Sequence, residues 1–290
     1  MATDGVRLYY EVAGAGPPVL FIHEFAGDHR SWEQQVNAMS QDYQCITYDA
    51  RGYPPSDVPT DLSSYSQEQA AADAVAVLDQ VGVTQAHVVG LSMGGFCALH
   101  LAVSHPDRLR SAVVAACGYG SQPERQESFR AECEVTASAL DAEGWAVVAG
   151  RYALGPARVQ LQNKDPRGWE VFRRQLSEHS AVGSALTMRG VQQKRPSLYG
   201  MTASLRDVRV PTLIVTGDED EGCLDPSLML KRSMPFAALV VLPRTGHACN
   251  LEEPSLFNSA VCSFVTSVDA GRWLTRDPRS MMTSLTGMDE

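Results

Sequence analysis

Short apolar runs rich in β-branched residues recur along the chain, each closed by turn formers: Pro18 to His23, Tyr43 to Tyr48, Ala86 to Leu91, Ser111 to Ala116, Pro211 to Thr216 and Ala237 to Leu242. Their length and flanks predict buried strands. Segments such as VLFI, HVVG, AVVA, TLIV and LVVL are apolar on successive residues, not on alternate ones. Both faces of their sheet must then be covered, as in a mostly parallel sheet with helices on either side. Between the runs the apolar spacing turns helical, at Ser31 to Met39, Gln67 to Val81, Met93 to Ser104 and Ser255 to Val268, the last opening just after Pro254. The expected fold class is α/β, with a mostly parallel central sheet. The strand grammar stops between about Tyr119 and Arg206, where helix-like stretches run from Glu124 to Leu154 and from Trp169 to Ala181. This predicts a core built from residues 1–118 and 207–290 and a helical insertion at 119–206, bordered by the loop-like GYGSQP and KRPSLYG. The final segment, GRWLTRDPRSMMTSLTGMDE, has weak periodicity, which leaves both packing on the body and fraying open.

A chain of 290 residues is long enough for one core and a lesser lobe. Its composition, 44% apolar and 20% charged, is that of a globular protein, which leaves the picture unchanged. The net charge of −10 narrows it, because nucleic-acid binding calls for a basic patch and no Lys/Arg cluster is present. No run approaches the ~20 apolar residues of a membrane span. The start, MATDGVRLYYEVAG, lacks the basic and apolar regions of a signal peptide. Seven cysteines, an odd number without CxxC or metal-type spacing, suit free thiols in a reducing, cytoplasmic compartment. Neither a metal nor any other cofactor is expected, since GLSMGG lacks the GxGxxG spacing.

The strongest chemical signal is Gly90-Leu91-Ser92-Met93-Gly94-Gly95, directly after the strand AHVV and directly before a helical pattern. In that context GxSxG reads as a nucleophile elbow, a strained turn that exposes the serine hydroxyl. A hydroxyl needs a base to take its proton. Of seven histidines, His247 lies in the loop PRTGHACNLEEP after the last strand, on the sheet edge where ligands bind in open α/β sheets. His87, His100, His105 and His179 fall in a strand, on or at the end of a helix, or in the insertion, and read as structural or solvated. The base needs an acceptor to hold its tautomer. The cluster Asp218-Glu219-Asp220-Glu221 follows the strand PTLIVTG, and from position alone Asp218, Asp220 and Asp225 each qualify.

Together these segments resemble the α/β-hydrolase superfamily over nearly the whole chain. His23-Glu24-Phe25 looks like its His-Gly-X oxyanion loop, and Asp49-Ala50-Arg51-Gly52-Tyr53-Pro54-Pro55-Ser56 looks like its D-x-R-G-x-G-x-S turn. Thr245-Gly246-His247 with Glu252 and Pro254 resembles the histidine loop, and Gly217-Asp218-Glu219-Asp220 the family's G-D-x-D segment. The resemblance implies an α/β-hydrolase fold with an inserted helical cap, Asp220 as the triad acid, and an oxyanion hole made by the backbone N–H groups of Phe25 and Met93. Two positions depart from the pattern. Pro54 stands where the family usually has glycine, a change the turn is expected to tolerate. Glu24 does too; it is expected to point away and pair with a cation such as Arg30, the alternative being that its carboxylate enters the pocket.

The activity expected is hydrolysis of a carboxylic ester or lactone of a small to medium, largely apolar substrate through an acyl-enzyme. Carbon–carbon bond hydrolysis and haloperoxidase-type perhydrolysis use the same triad, and a ligand-binding receptor with vestigial hydrolysis is the alternative from another class. Fold and triad do not separate these. Epoxide hydrolases and haloalkane dehalogenases place aspartate where Ser92 stands, and are excluded. The cap is expected to roof the pocket, with Glu24, Trp145 and Met188 as pocket residues and Tyr152, Trp169 and Met201 adding apolar surface. The expected partner is a small molecule, and the protein a monomer or homodimer.

Overall fold

The computed structural model describes Ala2 and residues 4–281. One sheet holds seven strands: β1 (Tyr10–Ala13), β2 (Pro18–Ile22), β3 (Gln44–Tyr48), β4 (Ala86–Leu91), β5 (Leu109–Ala115), β6 (Thr212–Gly217) and β7 (Ala237–Leu242). Their spatial order is β1-β3-β2-β4-β5-β6-β7, with β1 antiparallel to β3 and every other neighbouring pair parallel. The successive apolar residues explain themselves on β2, where Val19 and Phe21 enter one core and Leu20 and Ile22 the other. Successive side chains on a strand point to opposite faces, so a strand covered on both sides must be apolar throughout.

The helices before β6 are α1 (Glu33–Met39), α2 (Gln67–Val81), α3 (Met93–Ser104), α4 (Gln126–Glu143), α5 (Trp145–Ala153), α6 (Val159–Lys164), α7 (Pro166–Ser177), α8 (Ala181–Thr187) and α9 (Thr202–Asp207). After it come α10 (Glu221–Ser233), α11 (Cys249–Glu252) and α12 (Pro254–Asp269). On one face of the sheet, α2, α3, α9 and α10 bury residues such as Val77, Leu99, Leu205 and Leu230. On the other, Trp32, Met39 of α1, Cys249 of α11 and Phe257 and Phe264 of α12 close the second core. The chain between β5 and β6 adds no strand among the described residues, only α4 to α9 and short helical turns at Pro123–Arg125, Pro156–Arg158 and Met188–Gln192. Its own apolar cluster, including Leu140, Trp145, Leu161 and Met188, extends onto Phe25, Tyr53 and Met93 of the core. No helix among the described residues is long and apolar enough to cross a membrane.

Four features differ from the sequence reading. The edge strand β1 has the half-exposed pattern of YEVA and no apolar run, so only its pairing with β3 defines it. Helix α10 was hidden by its acidic start and by Pro226 inside it. The stretch 124–154 is not one helix, because Gly144 takes φ 70° between α4 and α5. The stretch from Trp169 to Ala181 ends in α7 at Ser177, and Ser180 accepts the Gly183 N–H to cap α8. In the final segment Trp273 Nε1–H donates to the Phe236 carbonyl at 2.8 Å, while residues 282–290 lie outside the described residues.

The turn after β3 ties the sheet edge to the loop after β2. The Ala50 N–H donates to His23 Nε2 at 3.0 Å, and Ser56 Oγ donates to the Asp49 carbonyl at 2.6 Å. The Pro54–Pro55 peptide is cis. Arg51 anchors this turn to α2, its Nε and Nη2 donating to the two oxygens of Asp73 at 2.6 and 2.7 Å while its Nη1 reaches the Ser64 carbonyl at 2.8 Å. Both partners are buried, so removing the cation strands a carboxylate in the interior. Arg51→Leu is expected to lower the unfolding free energy by about 3 kcal/mol, read from urea denaturation at neutral pH; a loss under about 1 kcal/mol, the value of an exposed pair, would show that the turn is held otherwise.

Candidate active site

The carboxyl ends of the parallel strands carry the residues of interest. After β4, Ser92 takes φ 55° and ψ −110°, and its N–H donates to the Ala115 carbonyl at the end of β5 at 2.8 Å. The neighbouring glycines are required by close approach: a Cβ at Gly90 would lie 2.0 Å from the Gly94 carbonyl oxygen, and one at Gly94 would lie 2.0 Å from that of Ile22. Helix α3 begins immediately, at Met93. The first N–H groups of a helix have no intrahelical acceptor, so the Met93 N–H has no partner within α3.

His247 lies five residues beyond β7, with its Nε2 2.9 Å from Ser92 Oγ and its Nδ1 2.9 Å from Asp220 Oδ2. A carboxylate only accepts, so Nδ1 carries the proton and Nε2 offers its lone pair to the serine hydroxyl. Asp220 is buried at the entry to α10. The other two aspartates considered from sequence are exposed and used elsewhere: Asp218 accepts the Thr245 N–H at 2.9 Å and Asp225 accepts from Gln122 at 3.3 Å. Burial opposes an imidazolium at His247, but the adjoining Asp220 carboxylate and, through space, Glu24 outweigh it, and the histidine is raised above its ordinary value. Burial likewise opposes the Asp220 carboxylate, while His247 and the Cys223 thiol hold it below the usual range. Cys223 places its sulfur near this pair, and burial raises its thiol well above the ordinary value.

The loop after β2 is fixed by hydrogen bonds on successive peptides. His23 is wholly buried, and since its Nε2 accepts from Ala50, its Nδ1–H donates to the Glu24 carbonyl at 2.7 Å. In a trans peptide the carbonyl and the next N–H point in opposite directions. By holding the Glu24 carbonyl, His23 therefore aims the Phe25 N–H the other way. The Tyr53 hydroxyl donates to the Phe25 carbonyl at 2.8 Å and fixes the following peptide as well.

Glu24 corrects an expectation. It does not pair with Arg30, which instead binds Asp28 and Glu178. Glu24 is buried and bonded to Arg158, itself buried, from the short turn Pro156–Arg158 ahead of α6. The physical reason is position: Glu24 follows β2 inward under the insertion, where Arg158 is the cation available to its carboxylate. Trp145 and Met188 both lie in the cluster shared by insertion and core. The Trp145 ring is 6.0 Å from that of Phe25, and its Nε1–H donates to Ser184 Oγ at 2.8 Å. Tyr152 and Trp169 pack against that cluster, but Met201 does not; it sits against the main core beside α9. Of the other histidines, His29 bonds with Asp49, His87 with Ser111 and Asp269, His105 with Ser104 and His179 with Asp28, while His100 Nε2 is buried without a partner among the described residues. Arg158 was missed because nothing local marks an arginine in PAR. Glu252, quoted only as part of the loop resemblance, accepts the N–H groups of both Gly246 and Ala248 and so grips His247 from either side.

The chain is similar over most of its length to proteins with several named activities. It is 26% identical over 277 residues to a Bacillus subtilis protein provisionally named 2-succinyl-6-hydroxy-2,4-cyclohexadiene-1-carboxylate synthase, covering 92% of this chain and 97% of that one. It is 25% identical over 268 residues to 3-oxoadipate enol-lactonase 1 of Acinetobacter baylyi, covering 91% and 95%. Among solved structures, a thermophilic esterase from Thermogutta terrifontis superposes with a TM-score of 0.81 at 26% identity, covering 92% of this chain and 96% of that one. The family described as alpha/beta hydrolase fold matches residues 17–254, and with the sheet order and strand-end loops described above this chain belongs to it.

Proposed function

We propose that this chain is a serine hydrolase of carboxylic esters or lactones, in which Ser92 is the nucleophile, His247 the general base and Asp220 the acid that orients it. The observation that carries the reading is the continuous relay from Asp220 through His247 to Ser92, 2.9 Å at each step, on loops that leave three different strands. Ser92 Oγ attacks the substrate carbonyl carbon as its proton passes to His247 Nε2. The imidazolium so formed is stabilised by Asp220 and returns the proton to the leaving alkoxide. Water, deprotonated by the same nitrogen, then releases the acyl group from Ser92.

Charge develops on the carbonyl oxygen at each tetrahedral stage. The N–H of Met93, at the start of α3, and that of Phe25, aimed by His23, are the donors proposed for it. The positive end of α3 adds to their effect. Residues 119–206 are read as the cap over this site, with Trp145 and Met188 in its wall, and their apolar cluster supports an acyl or alcohol group of small to medium size. The lactonase and esterase among the similar proteins support the same chemistry. Seven free thiols suit a reducing, cytoplasmic setting.

A p-nitrophenyl ester series tests the reading, with fluorophosphonate labelling alongside. Wild-type protein is expected to turn over and label, whereas Ser92→Ala loses labelling and on the order of 10⁴-fold or more in kcat. Wild type that labels without turning over esters would redirect the search to carbon–carbon cleavage or a receptor role, and wild type that does neither would sink the proposal.

The base must be neutral to work, and His247 is raised above the ordinary histidine value. The kcat/KM profile is therefore expected to fall as pH drops through that raised value, with its midpoint above that of a free histidine. Asp220→Asn removes the main charge that raises the base. It is expected to move this limb to lower pH and to reduce the plateau on the order of 10⁴-fold. A limb that stays in place in the variant would show that another group titrates.

A further inference from the structure

The insertion places one buried cation beside the proposed catalytic histidine. Arg158 and Glu24 are each almost fully buried, one from the insertion and one from the loop after β2, and they bond to each other. Both act through space on His247, Glu24 favouring its charged form and Arg158 opposing it. Glu24 is also the residue whose carbonyl His23 holds and whose neighbour Phe25 supplies the proposed oxyanion donor, and the Tyr152 ring over which Arg158 lies is 6.1 Å from the Phe25 ring, so the pair stands beside that loop.

The guanidinium is only partly satisfied. Its Nη2 serves Glu24, its Nη1 makes a long 3.3 Å contact to the Ala157 carbonyl, and its Nε is buried without a partner among the described residues. Its position does not depend on Glu24 alone, because it lies 4.8 Å from the Phe172 ring centroid and 5.8 Å from that of Tyr152. Deprived of Glu24, it would be a fixed cation with unused donors, the arrangement that binds a carboxylate.

We propose that Glu24 and Arg158 form a charge filter in the pocket: paired, they admit uncharged acyl groups, and Glu24 excludes acyl groups bearing a carboxylate by occupying the guanidinium that would bind one. The proposal rests on the hydrolase reading for its substrate but not for its charge logic. An anionic acyl group entering the wild-type site meets the Asp220 carboxylate and a guanidinium already engaged by Glu24, and like charges brought together discriminate strongly against the wrong ligand.

The test compares kcat/KM for p-nitrophenyl hexanoate with that for the mono-p-nitrophenyl ester of adipic acid, which differs by a terminal carboxylate. Wild type is expected to prefer the hexanoate. Glu24→Gln should shift the ratio at least about tenfold toward the adipate ester, Arg158→Gln should shift it the other way, and the double variant should fall between them. Adipate binding, followed by calorimetry, gives a readout free of catalysis: Glu24→Gln should bind and wild type should not. A wild-type preference for the adipate ester, an unchanged ratio in folded Glu24→Gln, or no adipate binding by that variant overturns the filter. Should Glu24→Gln not fold, Arg158→Gln and the double variant decide, and equal ratios in those two and wild type overturn it. If wild type neither labels with fluorophosphonate nor hydrolyses either ester, the hydrolase reading fails, and adipate binding alone then judges the filter.

Discussion

Where β4 turns into α3 the backbone folds onto itself and onto the end of β2 with no room for a side chain at Gly90 or Gly94. That contact does more than tighten a turn. Because Gly94 rests against the Ile22 carbonyl, the first turn of α3 is pressed onto the strand whose continuation is His23-Glu24-Phe25. The two proposed oxyanion donors, on Met93 and Phe25, come together through this one approach of backbones. The left-handed conformation of Ser92 is its local cost, of order 1–3 kcal/mol for a residue with a side chain, and it is offset by the burial of α3 against β4 and β5.

The same loop is the floor on which the insertion stands. Phe25 and Met93 lend their backbones to the proposed site and their side chains to the apolar cluster that Trp145 and Met188 complete. Polar contacts reinforce the border: His179 meets Asp28, Glu178 meets Arg30, and Arg158 meets Glu24. The exposed pair Arg30 and Glu178 contributes little to stability, and Asp28 keeps Arg30 if His179 is lost, whereas breaking the buried Arg158–Glu24 pair leaves a charge stranded. Repacking of the insertion therefore reaches the peptide of Phe25 directly, without a longer path.

What could be read from the chain was whatever local pattern defines. The parallel strands announced themselves by unbroken apolar runs, and the elbow by glycines at fixed offsets between a strand and a helix. Strand β1 could not be read, because YEVA is an edge whose only signature is pairing with β3, over thirty residues away. Helix α10 was masked by Pro226, which local rules read as a break. Ser92 and His247 were nominated by placement at strand ends, and the structure brings them to hydrogen-bond distance. Asp220 needed family resemblance, since Asp218 stands two residues away in the same loop. The partner of Glu24 was beyond any local rule, because 134 residues separate it from Arg158 and only the docking of the insertion joins them.

The acidic residues around His247 divide their work by where their oxygens can reach. Asp218 secures the Thr245 N–H, and Glu252 takes the N–H groups on both sides of the histidine. These carboxylates hold the backbone of the loop and leave the ring to Asp220. A ring oriented by its own loop alone would be free to swing; oriented by Asp220 alone, it would need a loop that stays in place. With both, Nε2 faces Ser92 and the imidazole keeps the tautomer that accepts a proton there. Burial works against charging that ring, and an isolated histidine at this depth would titrate low. That it is raised instead means the two carboxylates facing it, Asp220 in contact and Glu24 through space, together exceed the desolvation penalty and the opposing charge of Arg158. In the proposed mechanism, proton acceptance from Ser92 is favoured by the same negative field that, in the proposed filter, would repel an anionic substrate.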